Sequence, residues 1–456
     1  MDILQSKEQR EFECAPIGYL FRKYATPALT GLLIIGLLGI IDGAFVGNYV
    51  GSNALAALNI CMPAYKTVTS LSLILGIGAL TIIGTSLGQK DYAKANNALR
   101  TAFIAMSLMG LVISATLFIF MDEVLGFLGA DSQIMGYARD YYSTLVPFFL
   151  VYPLWYLGDF TVKAMGRPYL SLGVMLTVVL LNILLDYVFL AHLEMGVAGA
   201  GLATGLSALV GVVSLMGFLF FSKGNMSLRK GKADFKLLPQ MAYNGSSEGV
   251  SDISAGVAML LFNRAMMEFY GADGVAALTA INYLQFIGIT IFLGISDGIV
   301  PIISYNFGAR NWRRIIKVVR YTFVVNFSIG LCFLLGILAF SAQLTGMLFD
   351  TNQVSTSLLE LASYGAKIWA LAFLFNGTNI LISAYFTAIS SPFRSIVIAL
   401  LRGMVFITVL IFSLPALFGT DTLWFTVPLS ELLALLIAIP LLRASFHPKR
   451  LKKSLM

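Results

Sequence analysis

Two carboxylates lie inside long apolar stretches of this sequence, where ionisable side chains are rare. They are Asp42 and Asp186; Asn182 precedes Asp186 by one helical turn, and Thr204 lies in the next apolar stretch. Carboxylate, amide and hydroxyl oxygens ligate small hard cations, and two neighbouring carboxylates in a medium of low dielectric constant can share a proton. These four side chains are therefore predicted to form a site for Na+ or H+.

The composition indicates that most of the chain lies in lipid. Of 456 residues, 58% are hydrophobic and 12% charged, against roughly 25% charged in soluble proteins. A helix crossing the ~30 Å hydrocarbon core needs about 20 apolar residues. The sequence thus predicts an all-α polytopic membrane protein, which leaves no room for a sizeable soluble domain. Its twelve predicted helices cover 24–47, 54–86, 96–120, 137–161, 169–191, 197–221, 240–269, 275–307, 315–341, 360–387, 394–417 and 422–444.

The basic residues lie in alternate loops and so indicate the orientation. Lys and Arg are concentrated in the N-terminal segment, in the tail and in every second loop, whereas the intervening loops contain acidic residues and essentially no Lys or Arg. Because cytoplasmic loops carry the excess of Lys and Arg, both termini are predicted to be cytoplasmic. These loops also account for the net charge of +7, so nucleic-acid binding is not expected.

With this orientation, Asp42 and Asp186 lie at matching depth. Both predicted helices run outward, and each aspartate is about five residues, or roughly 7–8 Å, below the external surface. Thr204 reaches a similar depth from that surface. Alone, Asn182 or Thr204 would be assigned to helix packing. Two intramembrane carboxylates at one depth favour a functional site.

The first half of the sequence repeats in the second half. At a shift of 220 residues, loop glycines recur, as Gly51 and Gly271 do, and so do basic residues of the loops. A later stretch of the first half matches the second half at a shift of 224 residues. Six helices return the chain to its starting side, so the halves are predicted to be parallel six-helix lobes suited to alternating access. A symmetric channel is the alternative, although the sequence shows no charge rings.

The repeat gives the predicted domain bounds. They are 1–23 for a cytoplasmic N-terminal segment, 24–221 for the N-lobe, 222–239 for a cytoplasmic loop, 240–444 for the C-lobe and 445–456 for a basic cytoplasmic tail. When the two halves are aligned at these shifts, the positions that correspond to Asp42 and Asp186 carry apolar residues. The predicted cation site therefore belongs to one lobe only, and the repeat as such does not require it.

The second half has a polar set of its own. Glu248 and Asp252 share a face near the cytoplasmic start of the seventh predicted helix, and Asp297 lies in the eighth. Glu248 and Asp252 are either interfacial or attract a cationic substrate, and both interpretations stay open. Together with Asp297 and Asn376 they form the candidate substrate-binding set.

The sequence shows no set of residues typical of catalysis. Cys14, Cys61 and Cys332 are far apart, and the two histidines do not cluster with them, so neither a disulfide framework nor a structural metal site is expected. A metal-based, Ser/Lys or Asp-rich catalytic set is also not evident. The chain is therefore predicted not to be an enzyme and to need no cofactor beyond a coupling ion.

Several short motifs, in their order and spacing, resemble those of the MATE (multidrug and toxic compound extrusion) transporters, in the bacterial DinF-like branch. The motifs are IDGAFVGNYVG at 41–51, AMGRP at 164–168, LNILLDYVF at 181–189, GVAGAGLATG at 196–205 and DGIVPIISYNFGARN at 297–311. The resemblance covers nearly the whole chain. It implies efflux of drug-like molecules across the bacterial inner membrane by a monomer, driven by inward Na+ or H+.

The resemblance also implies roles for individual residues. The N-lobe cation site of the family matches Asp42, Asn182, Asp186 and Thr204. Another branch uses a helix-7 Glu with a helix-10 Asp. Here Glu248 could match the Glu of that branch, but helix 10 offers Asn376 in place of the Asp, so a C-lobe cation site is not expected.

A flippase for a lipid-linked precursor is the alternative function, because it can share the two-lobe architecture. A flippase would favour a cationic groove for pyrophosphate. The intramembrane Lys and Arg residues are few, namely Lys66, Arg264, Lys367 and Arg402.

Overall fold

Helices form every regular element in the residues that the computed structural model describes, 7–349 and 355–446. Most of the predicted basic tail lies outside this range. The α-helices are α1 Lys7–Cys14, α2 Ile17–Tyr49, α3 Ser52–Gly88, α4 Tyr92–Ile119, α5 Met121–Phe127, α6 Met135–Leu145, α7 Tyr152–Ala164, α8 Pro168–Asp186, α9 Gly196–Phe221, α10 Leu238–Gly308, α11 Trp312–Gly346, α12 Thr356–Trp369, α13 Phe373–Ala388, α14 Pro392–Leu400, α15 Phe406–Phe418 and α16 Thr426–Ser445.

The lengths of these helices agree with the predicted crossings. Within the described residues, ten helical stretches are long and apolar enough to span a membrane, and the bent pair Met135–Leu150 and Tyr152–Ala164 makes an eleventh. Helix α10 has 71 residues, more than one crossing needs. Gly271 interrupts it with a φ of +63°, which glycine adopts at little cost. Division of α10 at Gly271 gives twelve crossings.

The internal repeat is visible in the backbone of the turns. Gly51 and Gly271, which the shift of 220 relates, both have positive φ, +116° and +63°. The same shift relates Lys90 to Arg310, whose φ values are +61° and +56°. Positive φ is uncommon outside glycine, so its recurrence at matched non-glycine positions shows that the two halves share their turn geometry.

The shift of 224 relates a second set of irregularities. Gly166 and Ser390 both have positive φ, +91° and +56°. A 3-10 turn at Val146–Leu150 interrupts the fourth crossing, and one at Ala370–Ala372 interrupts the tenth. The repeat found in the sequence therefore extends to the bend inside a membrane helix.

The chain forms two compact units. The first comprises Met1–Gly245 with Ser304–Asn311, and the second comprises Ser246–Ile303 with Trp312–Met456. Tyr142 and Phe149 lie in the core of the first unit, and Trp369 and Trp424 in that of the second. Both ends of α10 belong to the first unit, whereas the sequence predicted that residues from 240 onwards belong to the C-lobe. The division of the sequence into two lobes at 24–221 and 240–444 stays a prediction.

Helix α1 packs into the first unit. Phe12 is fully buried, and its ring centroid lies 4.8 Å from that of Tyr305 and 5.2 Å from that of Tyr24. The Tyr305 hydroxyl donates a hydrogen bond of 3.0 Å to Glu13 Oε1. Helix α2 begins at Ile17, before the predicted start at residue 24. The described part of the N-terminal segment, residues 7–23, is thus largely helical.

Two glycines bring α3 and the end of α10 into backbone contact within the first unit. A Cβ at Gly88 would lie 2.0 Å from the Tyr305 carbonyl oxygen, and a Cβ at Gly308 would lie 1.9 Å from the Thr85 carbonyl oxygen. The shift of 220 relates the two glycines. Any side chain at either position would force the two helices apart.

We expect Gly88→Ala and Gly308→Ala each to lower the free energy of unfolding by about 1–3 kcal/mol, as overpacking does elsewhere, because each methyl group would meet a backbone carbonyl. The measurement is the thermal unfolding midpoint of the protein in detergent. Gly39→Ala is the matched control, since nothing lies within 4 Å of a Cβ at Gly39. Equal midpoints for G88A and G39A would contradict the close approach.

Candidate functional site

The four residues predicted to bind a cation lie on three helices of the first unit. Asp42 is on α2, Asn182 and Asp186 are on α8, and Thr204 is on α9. Helix α8 packs against both α2 and α9. The fold thus brings the three helices together, although they are far apart in the sequence.

The structure brings Asp42 and Asp186 together. Their carboxyl groups lie within electrostatic reach of each other. Asp186 is 1% exposed, and Asp42 is half-buried. Within the described residues, no hydrogen-bond donor satisfies either carboxylate oxygen of Asp186. A buried carboxylate of this kind is suited to receive a cation or a proton.

Of the two neutral candidates, one lies on the same helix as Asp186 and the other on α9, which packs against that helix. Asn182 is fully buried one turn before Asp186 on α8. Thr204 is half-buried on α9, and its carbonyl oxygen accepts a hydrogen bond of 3.0 Å from the Ser207 hydroxyl. Both side chains offer oxygens of the type that Na+ accepts, and their role as ligands stays a prediction.

A π-helical turn, Tyr187–His192, follows Asp186 directly. Such turns are rare and occur frequently at functional sites. The corresponding helix of the second half also contains a π-helical turn, Leu401–Val405, which carries Arg402. The shift of 224 does not superimpose these two turns. The repeat is therefore broken in each half next to a charged residue.

Sequence reasoning missed the tyrosines beside the acidic pair. Tyr141 lies within electrostatic reach of Asp42 and Asp186, and Tyr65 within reach of Asp42. Tyr65 packs edge-on against Tyr152, with ring centroids 5.4 Å apart. The available signal was the aromatic-rich sequence around Tyr141, but spacing alone does not tell which rings face the carboxylates.

Asp159, another intramembrane carboxylate of the first half, belongs to a separate buried ion pair. Lys163 Nζ lies 2.6 Å from Asp159 Oδ2, and both side chains are less than 10% exposed. The Ser171 hydroxyl also donates a hydrogen bond to Asp159. The sequence had assigned Lys163 to a loop, whereas it lies in α7 with its charge matched. This carboxylate therefore stabilises the packing of α7 on α8.

Three of the four candidate substrate residues are neighbours in the second unit. Glu248 lies within electrostatic reach of Asp297 and Asp252. Asn376 is fully buried on α13. In the part of the chain that the structure describes, no three His, Cys, Asp or Glu side chains converge as metal ligands. Glu248, Asp252 and Asp297, which we call the acidic group, thus form a negative region rather than a chelating site.

An ion pair lies beside the acidic group. Arg402, which is also within reach of Glu248, donates from Nε and Nη2 to Glu431 Oε1 at 3.0 and 2.9 Å. Asn379 Nδ2 donates to Glu431 Oε2 at 2.6 Å and to the Glu431 carbonyl oxygen at 2.8 Å. The Ser430 hydroxyl donates to the Arg402 carbonyl oxygen. Glu431 therefore holds Arg402 in place from α16.

Comparisons of the sequence with known proteins agree on one family. A model of the MatE family matches residues 27–188 and 252–418. The multidrug export protein MepA of Staphylococcus aureus (strain MRSA252) is 27% identical over 425 residues, 91% of this chain and 91% of that protein. MepA of Staphylococcus haemolyticus (strain JCSC1435) is 26% identical over 424 residues, 91% and 90% of the two chains.

Solved structures share the fold. A crystal structure of MATE in the straight conformation has a TM-score of 0.89 at 23% identity and covers 99% of this chain and 100% of its own. An outward-facing multidrug resistance MATE family transporter of the MOP superfamily has a TM-score of 0.89 at 21% identity, with 99% of each chain covered. These likenesses confirm the predicted polytopic fold, while the cytoplasmic placement of the termini stays a prediction.

We expect Asp159→Asn to lower the free energy of unfolding by about 3–5 kcal/mol, because it leaves the Lys163 ammonium buried without its counter-charge. The double variant Asp159→Asn, Lys163→Gln should recover part of that loss. Thermal unfolding in detergent measures both effects. Asp140→Asn, an exposed site, is the control, and a midpoint for D159N equal to that of D140N would rule out the ion pair as a stabilising contact.

Proposed function

Since the chain belongs to the MatE family, whose members are transporters and not enzymes, we propose that it is a secondary active multidrug efflux transporter of the bacterial cell membrane. It exports hydrophobic, often cationic, small molecules in exchange for H+ or Na+, and it acts as a monomer. The observation that carries the proposal is the pairing of half-buried Asp42 with buried Asp186. The names of the relatives, which are multidrug export proteins, support the substrate class.

The acidic pair supports cation coupling on energetic grounds. A carboxylate withdrawn from water costs several kcal/mol unless it is paired or protonated, and no donor in the described residues satisfies the oxygens of Asp186. A proton shared between Asp42 and Asp186 would remove that cost. A Na+ ion would do the same, with Asn182 and Thr204 as additional oxygen ligands.

Coupling follows if the ion and the substrate favour different conformations. A ligand shifts a conformational equilibrium only by the difference between its affinities for the two states. The ion at Asp42 and Asp186 then favours one state, and the exported molecule favours the other. Each ligand thereby promotes release of its counterpart, as reciprocal linkage requires.

The acidic group of the second unit supports selection of cationic substrates. Glu248, Asp252 and Asp297 attract positive charge. Arg402 lies within electrostatic reach of Glu248, but its guanidinium donates from Nε and Nη2 to Glu431. With Asn376 these carboxylates are the proposed substrate-binding residues.

The flippase alternative receives less support. A pyrophosphate group requires basic side chains that are available for binding, and Arg402 is engaged by Glu431. The named relatives are exporters of drugs. We therefore favour efflux of small molecules.

We expect Asp42→Asn and Asp186→Asn each to reduce ion-driven dye efflux by about tenfold or more, since coupling energies of 1–3 kcal/mol correspond to factors of 5–150. The assay follows a lipophilic cationic dye in vesicles under an imposed pH gradient or an imposed Na+ gradient, each alone, which also identifies the ion. Asp140→Asn is the charge-matched control. Wild-type rates for both D42N and D186N would refute the proposed coupling site.

We expect Glu248→Gln to raise the KM for a cationic substrate by about three- to tenfold, the effect of losing one charge at roughly 6–8 Å in an effective dielectric constant of about 40–60. The KM for a neutral substrate should not change, because it has no charge to attract. Glu268→Gln, an exposed site on the same helix, is the control. An equal rise in the KM for neutral and cationic substrates would show that Glu248 stabilises the structure and does not attract the charge of the substrate.

A further inference from the structure

A cavity of about 410 Å³ opens in the first unit, away from the acidic pair. It lies between α1, the turn before α8, the end of α9 and the loop that follows α9. The lining side chains divide into a charged part, which includes Glu8, Arg167 and Lys223, and an apolar part, which includes Phe218 and Phe221.

The charged part of the cavity favours an anion. Arg167 and Lys223 line it together with a single carboxylate, that of Glu8. Arg167 immediately precedes α8, a helix of 19 residues, whose N-terminal amides and dipole add to the positive potential. An arginine guanidinium also binds phosphate oxygens in a bidentate manner. The charges thus fit a phosphate group.

The apolar part of the cavity lies at the end of a membrane helix. Phe218 and Phe221 belong to the last turn of α9, and Phe221 is 70% exposed. The Arg167 guanidinium lies over the Phe218 ring, 5.2 Å from its centroid. Charge and exposed aromatic surface therefore meet where the helix leaves the hydrocarbon region, which suits an amphiphile better than a soluble anion.

Glu8 forms an ion pair with Arg167 in this structure. Its Oε1 lies 3.3 Å from Arg167 Nη2. Gly166 permits this approach, since a Cβ there would lie 2.5 Å from Glu8 Cβ. The burial of Phe12 fixes α1 and so keeps Glu8 at this position. A phosphate that enters the cavity therefore competes with Glu8 for Arg167.

We propose that this cavity binds an anionic phospholipid of the leaflet on the N-terminal side of the membrane, which the loop charges predict to be the cytoplasmic leaflet. The headgroup phosphate contacts Arg167 and Lys223, and an acyl chain covers Phe221. Basic pockets between membrane helices bind anionic headgroups by the same combination of charge and apolar surface. The site is independent of the proposed efflux mechanism.

Native mass spectrometry of the full chain in neutral detergent tests the site, with phosphatidylglycerol as the probe and phosphatidylcholine as the zwitterionic comparison. We expect tighter binding of phosphatidylglycerol, weakened about tenfold in the double variant Arg167→Gln, Lys223→Gln. The control is Arg139→Gln, Lys236→Gln, which removes the same charge from exposed positions away from the cavity. Glu8→Gln should tighten binding, because the competing carboxylate is removed.

Three outcomes would overturn the proposal. They are unchanged phosphatidylglycerol binding in the double variant, equal loss in the control variant, and equal binding of phosphatidylcholine. Inorganic phosphate is a separate arm: if it displaces the lipid at millimolar concentration, the cavity is a site for a free anion and the lipid assignment is wrong. Lys223→Gln alone changes an exposed side chain, so it tests the site even if variants of Arg167 fold poorly.

Discussion

A charge inside an apolar helix bundle is stable only if another group compensates it, and the buried charges of this protein are arranged around that requirement. Asp159 is compensated by Lys163 and Arg402 by Glu431. Asp186 differs, because its neighbour is the carboxyl group of Asp42 and no donor in the described residues reaches its oxygens. Compensation by a mobile ion requires such an incomplete arrangement, since a permanent partner would exclude it.

The scaffold that holds these charges apart is built twice. Positive φ recurs at Gly51 and Gly271 and at Lys90 and Arg310, so the turns of both halves follow one plan. The charged residues proposed to be functional do not recur at matched positions of the two halves. The π-helical turn after Asp186 and the one that carries Arg402 fall at different positions of the repeat. A common frame thus supports two different charge arrangements.

The sequence could predict those features that depend on local composition. Helices were predictable from apolar length, and the turn at Gly271 from the repeat of Gly51. The matching depth of Asp42 and Asp186 was predictable, because both predicted helices run in the same direction, but depth alone does not make the two side chains face each other. The pairing of Arg402 with Glu431 could not be predicted, since it depends on how two helices are rotated about their axes. In a helix that is apolar on every face, the spacing of hydrophobic residues does not indicate which face packs against a neighbouring helix.

The same limit explains why Tyr141 and helix α1 were missed. Tyr141 comes within electrostatic reach of the acidic pair through the packing of α6 against α3 and α9, which the spacing of residues in the sequence does not reveal. Helix α1 contacts residues next to the repeated turns: Tyr92 donates to Gln9, Arg167 pairs with Glu8, and Tyr305 donates to Glu13. The corresponding stretch of the second half, 227–234, is not helical. Like the acidic pair, α1 is therefore an addition to the first half alone. Repeated residues set the frame, and the residues without a counterpart are where distinct chemistry should be sought.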